Sequence, residues 1–299
     1  MEETLDIEIL KKLGKLTREI RKEVSKIPKE GVDITEIIDY VEKRIFDEGY
    51  LPAFPCTVSI NEVAAHYTVF DEGYILKNGD LIKIDFGISE NGFCTDNAFT
   101  VEIGTQKYKD LMETNKKALD KAMEMINYGV KMGDIGTQIH KLTTEAGFDT
   151  IHNLTGHQIG RYKLHAGLSV PNYNNHSEAE VKDNMQFAIE PFLTAGEPKV
   201  KSSGPSNILH LIRDKPIRDP IAKKVLMYIK EKYPRLPFSK RWLLDSFDKR
   251  KVLYALKLLK AHNIIYEYDA LATVDGSFVS QFEDCVVFVN NEKTIITRL

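Results

Sequence analysis

One stretch constrains the fold more than any other: Leu81-Ile-Lys-Ile-Asp85-Phe-Gly-Ile-Ser-Glu-Asn-Gly-Phe-Cys-Thr-Asp96-Asn-Ala-Phe-Thr100. Two β-prone runs flank Ser89-Glu90-Asn91-Gly92, and Asn-Gly between such runs is a strong hairpin signal. If the loop is centred between Glu90 and Asn91, Asp85 and Asp96 stand directly opposite each other. If Asn91-Gly92 is itself the two-residue loop, they are diagonal neighbours. In either register both carboxylates share a face with Gly87, Cys94 and Ala98, because side chains alternate along a strand. The other face of the first strand is Ile82, Ile84, Phe86 and Ile88, which predicts a surface buried under another layer.

Opposed residues in a hairpin have Cβ atoms about 4.5–5.5 Å apart, and like charges so placed destabilise a sheet. A polyvalent cation reverses that sign. Two carboxylates in a hollow of small residues suit a hard or borderline divalent metal. The competing reading of the hairpin taken alone is a surface ribbon with solvated aspartates.

The chain's 299 residues suffice for one large domain or two smaller ones. With 42% hydrophobic and 28% charged residues it has the composition of a soluble globular protein. The start, Met-Glu-Glu-Thr-Leu-Asp, lacks the basic-then-apolar layout of a signal peptide, and no apolar run approaches a membrane span. Three cysteines, Cys56, Cys94 and Cys285, form no metal-type spacing and no disulfide framework. A reducing, cytoplasmic location is therefore expected.

Leu5 to Ile27 carries apolar residues at helical spacing, which predicts an amphipathic helix. Asp33-Ile-Thr-Glu36 opens a second helix as a capping box, closing near Gly49. Phe54 to Tyr67 reads as strand. Tyr108–Tyr128 and Asp134–Ala146 read as helices ended by Gly129 and Gly147. Leu154 to Gly160 is too glycine-rich for a helix and reads as a strand edge or loop. Met185 to Phe192 reads as a strand carrying Glu190 at its end. The order helix–helix–hairpin, then helix–helix–strands, points to two related halves.

Residues 218–262 differ in composition, with 13 Lys and Arg against 4 Asp and Glu. This span carries +9 and the remainder −12, within a net charge of −3. Three helices are expected here, Pro220–Lys232, Ser239–Phe247 and Lys249–His262, followed by apolar stretches at Ile264–Tyr268 and Ala270–Val274. Three short helices and a small hairpin resemble a winged-helix insert. The chain then offers a strand from Phe278 to Val289 carrying Glu283, and a last strand from Lys293 to Arg298.

A ligand set should combine carboxylates with imidazole on elements that can converge on the hairpin. Of eight histidines, His140 and His262 read as surface residues, and His152 and His176 lie in polar loops. His157 is flanked by Gly156 and Gly160, which allow close backbone approach. His165 follows eight residues later, and His66 follows Ala64-Ala65.

At this point the residues resemble a family. Phe54-Pro, Ala64-Ala-His66-Tyr-Thr68, Asp85-Phe-Gly with Asp96 eleven residues on, Thr155-Gly-His157, Lys163-Leu-His165-Ala-Gly167, Ile189-Glu190-Pro-Phe192 and Gln281-Phe-Glu283 occur in order across residues 54 to 283. Together they resemble the type II methionine aminopeptidases of the pita-bread metallopeptidases, family M24, which also holds prolidase, aminopeptidase P and creatinase. The resemblance implies an α+β fold with pseudo-twofold α/β halves around a mainly antiparallel curved sheet, plus a helical winged-helix-like insert. It divides the chain into a catalytic domain of residues 1–205 and 269–299 and an insert of residues 206–268. The short region before Asp85, lacking a polybasic extension, fits an archaeal-type minimal form.

The resemblance also implies a two-metal site with Asp85, Asp96, His157, Glu190 and Glu283 as ligands. Asp96 and Glu283 would bridge the ions, Asp85 would complete one, and His157 and Glu190 the other. Four carboxylates offset two dications, and a hydroxide shared between ions about 3.5–4 Å apart is a nucleophile near neutral pH. One imidazole among carboxylates favours Mn, Fe or Co over a tight Zn site. Glu190 would shuttle the proton, while His66 and His165 would hold the substrate and stabilise its oxyanion. Phe54, Leu164, Phe192 and Tyr268 match a methionine side-chain pocket; for any one of them alone, core packing is the simpler reading. The implied activity is hydrolytic removal of initiator methionine from nascent chains whose second residue is small, by a monomer.

The chain departs from the family at Asp284-Cys285, where His-Thr is commoner, and near Thr155. Lys199 to His210 aligns poorly, so no role passes to His210. Parity turns Cys94 and Cys285 toward Asp96 and Glu283, so the thiols either line the metal hollow or are buried small residues. Two other functions compete: an inactive pita-bread adaptor that binds nucleic acid or protein, and an enzyme cleaving before proline. The basic insert, either a set of solvated helix faces or a dock for ribosomal RNA, is a further candidate surface.

Overall fold

Helix α1 (Ile7–Val24) begins where the Asp6 side chain accepts from the Glu8 and Ile9 backbone N–H groups, and α2 (Ile34–Asp47) where Asp33 and Glu36 form the expected capping box. Both pack on an antiparallel sheet formed by β1 (Leu51–Ile60), β3 (Leu81–Glu90), β4 (Phe93–Cys94) and β5 (Asn97–Glu102), with β2 (Val63–Ala65) leaving it for another sheet. The structure is a computed structural model that describes residues 4–299. Ile82, Ile84, Phe86 and Ile88 are fully buried beneath the helices, against Leu13, Ile20, Ile38, Val41 and Ile45. Each such side chain contributes about 1.5–3 kcal/mol.

The hairpin register pairs Ser89 with Cys94 and Asp85 with Ala98. Asn91 (φ 53°) and Gly92 (φ 85°) both have positive φ and form the two-residue loop, as a type I′ turn requires. Asp85 and Asp96 are therefore diagonal, not directly opposite. Regular pairing lapses at Thr95-Asp96. There the backbone comes so close that a Cβ on Gly87 would lie 2.1 Å from the Thr95 carbonyl oxygen.

The second half repeats the plan. Helices α3 (Lys109–Met125) and α4 (Met132–Glu145) are followed by β6 (Asp149–Thr150), β7 (Gly156–Ile159), β8 (Ser169–Val170), β9 (Met185–Ile189) and β10 (Phe192–Thr194). Next come β11 (Val200–Leu211), α5 (Pro220–Lys232), β12 (Phe238–Ser239), a 3₁₀ turn (Arg241–Asp245), α6 (Lys249–Ala261) and β13 (Ile265–Thr273). The chain ends with β14 (Val279–Gln281), β15 (Asp284–Val289) and β16 (Glu292–Ile295). A sheet of order β16-β15-β9-β7-β8 is covered by α3 and α4, through Leu119, Met123 and Ile139 against Phe187, Val286 and Phe288. Ala53, Phe54, Cys94, Ile159, Ala188, Cys285 and Val287 join the two halves in one apolar cluster.

Six expectations change. The strand expected over Met185–Phe192 stops at Ile189, and Phe192 opens β10 in another sheet. The strand expected over Phe54–Tyr67 is two, β1 and β2, with His66 and Tyr67 beyond them. The segment expected as helix Ser239–Phe247 is a short strand and one 3₁₀ turn, because Phe238 and Ser239 pair with β11. The apolar stretches at 264–268 and 270–274 are one strand, β13, paired along β11 with two bulges. The strand expected over Phe278–Val289 breaks at Phe282-Glu283. The last strand stops at Ile295. Strands β11 and β13 run through residues 206 and 268, so the helical region is carried on a ribbon continuous with the main body, where β13 pairs with β2. It docks on α2 through Glu42, which accepts from Arg241 Nη2 (2.9 Å), Trp242 Nε1 (2.8 Å) and the Cys56 N–H (3.2 Å).

Candidate metal centre

Five acidic or imidazole side chains meet where the two halves join, each at a strand or a strand break. Asp85 is in mid-β3, and Asp96 occupies the lapse between β4 and β5. Glu283 sits in the break between β14 and β15, where its N–H donates to the Ala98 carbonyl (2.9 Å). That bridge ties the chain's last sheet to the hairpin. Glu190 directly follows β9, before Pro191, which has no N–H to extend the ladder. His157 of β7 lies across from Ala188, whose other neighbour is Cys285 of β15.

Ligand atoms of Asp96, His157 and Glu283 lie within 4.8 Å of one another. His157 Nε2 is 3.4 Å from Glu190 Oε1 and 3.7 Å from Asp96 Oδ2. Gln281 Nε2 lies 3.4 Å from both Asp85 Oδ2 and Glu190 Oε2 and so holds the other pair together. Asp85 Oδ1 and Glu283 Oε1 are buried without a hydrogen-bond partner. An unpaired buried carboxylate oxygen is costly. Asp96, His157 and Glu283 share one point and Asp85 and Glu190 stand beside it; four carboxylates, two of them with an orphaned oxygen, and one imidazole are a donor set that a divalent cation satisfies.

The titration behaviour agrees. Burial raises Asp85 to about 7, against the pull of the Gln281 amide. Burial first, then mutual repulsion, holds Asp96 and Glu283 well above the usual carboxylate range, and Glu190 behaves likewise. Burial, reinforced by His165, lowers His157 to about 3. Such a cluster keeps protons on its carboxyls until a cation displaces them.

These five side chains open into a cavity of about 450 Å³. All eleven residues singled out from the sequence line it: Phe54, His66, Asp85, Asp96, His157, Leu164, His165, Glu190, Phe192, Tyr268 and Glu283. Ala65, Ile208, Leu236 and Pro237 extend the apolar wall. His66 has φ 67°, a sparsely populated conformation for a non-glycine residue, and meets Tyr268 edge-on at 6.0 Å. His165 stacks obliquely on His157 at 4.3 Å. Burial lowers the pKa of both His66 and His165, so each stays neutral near pH 7 and keeps one N–H donor.

Two wall residues, His210 and Tyr162, and Gln281 beside the carboxylates carry no role from the sequence alone. His210 takes a 3.3 Å contact from the Tyr268 hydroxyl at Nδ1 and reaches the Arg235 carbonyl through Nε2 at 3.0 Å. Period-two alternation in Ile208-Leu-His210 was the available signal, since Ile208 and His210 line the cavity and Leu209 packs in the insert core. Gln281, within the Gln281-Phe-Glu283 run, bridges Asp85 and Glu190 through its amide. Tyr162 (φ 58°) lies at the cavity with the Arg235 guanidinium 4.6 Å above its ring.

Cys94 and Cys285 do not line the cavity; both are buried in the apolar cluster behind it. Burial raises both thiols, Cys94 to about 12, which keeps them protonated and inert. The small-buried-residue reading therefore replaces the one that put thiols in the metal hollow. Asp284 also points away from the cavity, into an ion pair with Arg21 of α1 at 2.8 Å.

Two helix-covered halves of antiparallel sheet that meet at a carboxylate-and-imidazole cavity are the architecture of a metallopeptidase class. Residues 8–215 match metallopeptidase family M24. The chain is 40% identical over 292 residues to a methionine aminopeptidase of Thermococcus kodakarensis, covering 97% of this chain and 98% of that protein. Among solved structures, a methionine aminopeptidase from Thermotoga maritima superposes with a TM-score of 0.70 at 22% identity, over all of both chains. A thermophilic Arx1 superposes at 0.83 and 16% identity, over 98% of this chain and 91% of the other. The chain belongs to metallopeptidase family M24, and its fold is the pita-bread fold.

Proposed function

We propose that this chain is a methionine aminopeptidase, a metal-dependent exopeptidase that removes the N-terminal methionine of polypeptides whose second residue is small. The observation that carries this reading is the joining of four carboxylates and an imidazole to an apolar wall within one cavity of about 450 Å³. Near-full-length identity of 40% to a relative so named supports it.

Asp85, Asp96, His157, Glu190 and Glu283 would hold two divalent ions, with Asp96 and Glu283 shared; Co, Mn, Fe and Zn are the candidates. When bound, the metal supplies Lewis acidity, which activates water near neutral pH. Glu190, whose carboxyl burial holds above its ordinary range, accepts the water's proton and returns it to the leaving amine. His66 and His165 donate to the scissile carbonyl and steady the charge that develops on it. Phe54, Leu164, Phe192 and Tyr268 enclose the methionine side chain, and His210 holds the Tyr268 hydroxyl in place.

We assign the catalytic body to residues 1–205 and 269–299 and the insert to 206–268. Its exposed Lys223, Lys224, Arg250, Lys251 and Lys257 form the surface best suited to ribosomal RNA. Arg241, by contrast, is committed to Asp39 and Glu42, and Lys249 to Asp71. Co-sedimentation with ribosomes that is absent, or insensitive to salt, would count against such a dock. Among the described residues no helix is long and apolar enough to cross a membrane. A cytoplasmic monomer is the reading that fits.

The test is release of methionine from Met-Ala-Ser by metal-loaded protein, abolished by Asp96→Ala. Absence of turnover with Co, Mn, Fe and Zn alike would favour the inactive adaptor. Preference for an Xaa-Pro peptide would favour the proline-directed enzyme.

A further inference from the structure

A second cluster of ligand-type side chains lies apart from the catalytic cavity, and none of its members lines that cavity. His140 is on α4, Asp149 on β6 and His152 three residues further on. One atom from each lies within 4.8 Å of the others. We propose that these three residues form an independent site for a borderline divalent cation such as Zn²⁺, Ni²⁺ or Co²⁺.

Distances decide between an ion site and a simple hydrogen-bonded triad. His140 Nδ1 and His152 Nε2 each lie 3.4 Å from the same oxygen, Asp149 Oδ1. A good N–H···O bond is about 2.7–3.2 Å long, and His140 Nδ1 is buried without a hydrogen-bond partner. A tetrahedral zinc with ligand bonds of about 2.0–2.1 Å has its ligand atoms about 3.3–3.4 Å apart. Two of the three edges already have that length. The contacts are long for hydrogen bonds and right for ligands that flank an ion.

The side chains are also held in place. The Thr150 N–H donates to Asp149 Oδ1 at 2.8 Å, and β6 is anchored where Asp149 pairs with Thr194. Tyr173 lies against the His152 ring at 4.6 Å, and the His152 N–H donates to the Pro198 carbonyl at 2.9 Å. Such pre-ordering lowers the entropic cost of binding. Side-chain exposures of 36%, 34% and 42% for His140, Asp149 and His152 leave a path for the ion and room for a water as fourth ligand. Two imidazoles and one carboxylate select borderline metals over Mg²⁺ or Ca²⁺. An ion here ties α4 to the segment whose next residues, Asn153, Leu154 and Thr155, form a wall of the catalytic cavity.

The test titrates metal-stripped protein with Zn²⁺ alone and counts ions by equilibrium dialysis, for wild type and for His152→Gln. The expected result is one zinc fewer per chain in the variant, or one site weakened at least tenfold, with Met-Ala-Ser hydrolysis by cobalt-loaded enzyme unchanged. Equal stoichiometry and affinity in the two proteins overturns the proposal. A second comparison removes any dependence on one variant's folding. Zn²⁺ should raise the thermal midpoint of Asp96→Ala protein by more than that of the same protein carrying Asp149→Asn; an identical rise in the two overturns the site.

Discussion

Replacing Arg21 with Met tests whether the sheet behind the metal centre is held by a buried ion pair. Arg21 Nη1 donates to Asp284 Oδ1 at 2.8 Å, with side-chain exposures of only 10% and 4%. The same nitrogen lies 3.4 Å from the Glu283 carbonyl oxygen, and the guanidinium carbon sits 5.5 Å from the Phe99 ring centre. Methionine keeps the apolar stem against Phe99 but leaves Asp284 with the Thr297 hydroxyl, at 3.3 Å, as its remaining side-chain partner. Breaking one side of a buried pair typically costs about 3–5 kcal/mol. Replacing both partners by apolar residues is often neutral, so Arg21→Met with Asp284→Leu should recover most of that loss. Because Asp284 adjoins Glu283, loosening should also weaken metal binding about 10–100-fold, as outer-shell changes do. Urea unfolding of the two single variants and the double variant, with a parallel Co²⁺ titration, measures both effects. An Arg21→Met loss below about 0.5 kcal/mol, the range of ordinary surface changes, would refute the argument. So would additive single losses in the double variant.

Gly92→Ala puts a Cβ 2.4 Å from the Tyr162 ring at a residue with φ 85°; a loss of about 1–2 kcal/mol and a raised KM are expected, and an unchanged melting temperature and KM would contradict this. His66→Ala should lower kcat about 10²–10³-fold with full metal content, and loss of metal instead would reassign His66 as a ligand. In chelated protein, Asp85, Asp96, Glu190 and Glu283 all titrate above their ordinary values. These four carboxyls keep protons that the unfolded chain releases; His66, His157 and His165, held neutral by burial, offset part of that below about pH 6.5, and with four carboxyls against three imidazoles stability falls as pH rises from about 4 through 7. Thermal midpoints of apo protein across that window should decline and metal should flatten the slope; a flat apo profile would be inconsistent with the burial described. Glu42→Ala orphans the Trp242 N–H and removes one of two carboxylates from Arg241. About 2–4 kcal/mol should be lost, and no loss in urea unfolding would show that the insert docks by other contacts.

Local chemistry was legible in the chain. Asp33 and Glu36 marked a helix start, Asn91-Gly92 a hairpin, and Ile82 to Ile88 a face buried under another layer. These features depend on residues a few positions apart, so short-range sterics and periodicity suffice to determine them. Candidate ligand types were legible as well, because metal binding constrains residue chemistry more tightly than packing does.

Tertiary pairing decided the rest. Whether Asp85 and Asp96 are opposite or diagonal rested on register. The break that aims Glu283 exists because Thr100, 181 positions away from Gln281, exchanges hydrogen bonds with its backbone, and because Ala98 captures the Glu283 amide. β11 escaped notice because Ser, Gly, Pro and Asn fill half of it and pairing with β13 overrides their weak β-propensity; His210 was lost with it. His140, Asp149 and His152 carry no joint signal in sequence, since a helix, a strand and a loop bring them together only when β6 pairs with β10. The sequence by itself determined which groups could bind metal and which turns and helices would form. Which of those groups share a point in space was set by strand partners chosen far along the chain, through packing and hydrogen bonds that no local pattern encodes.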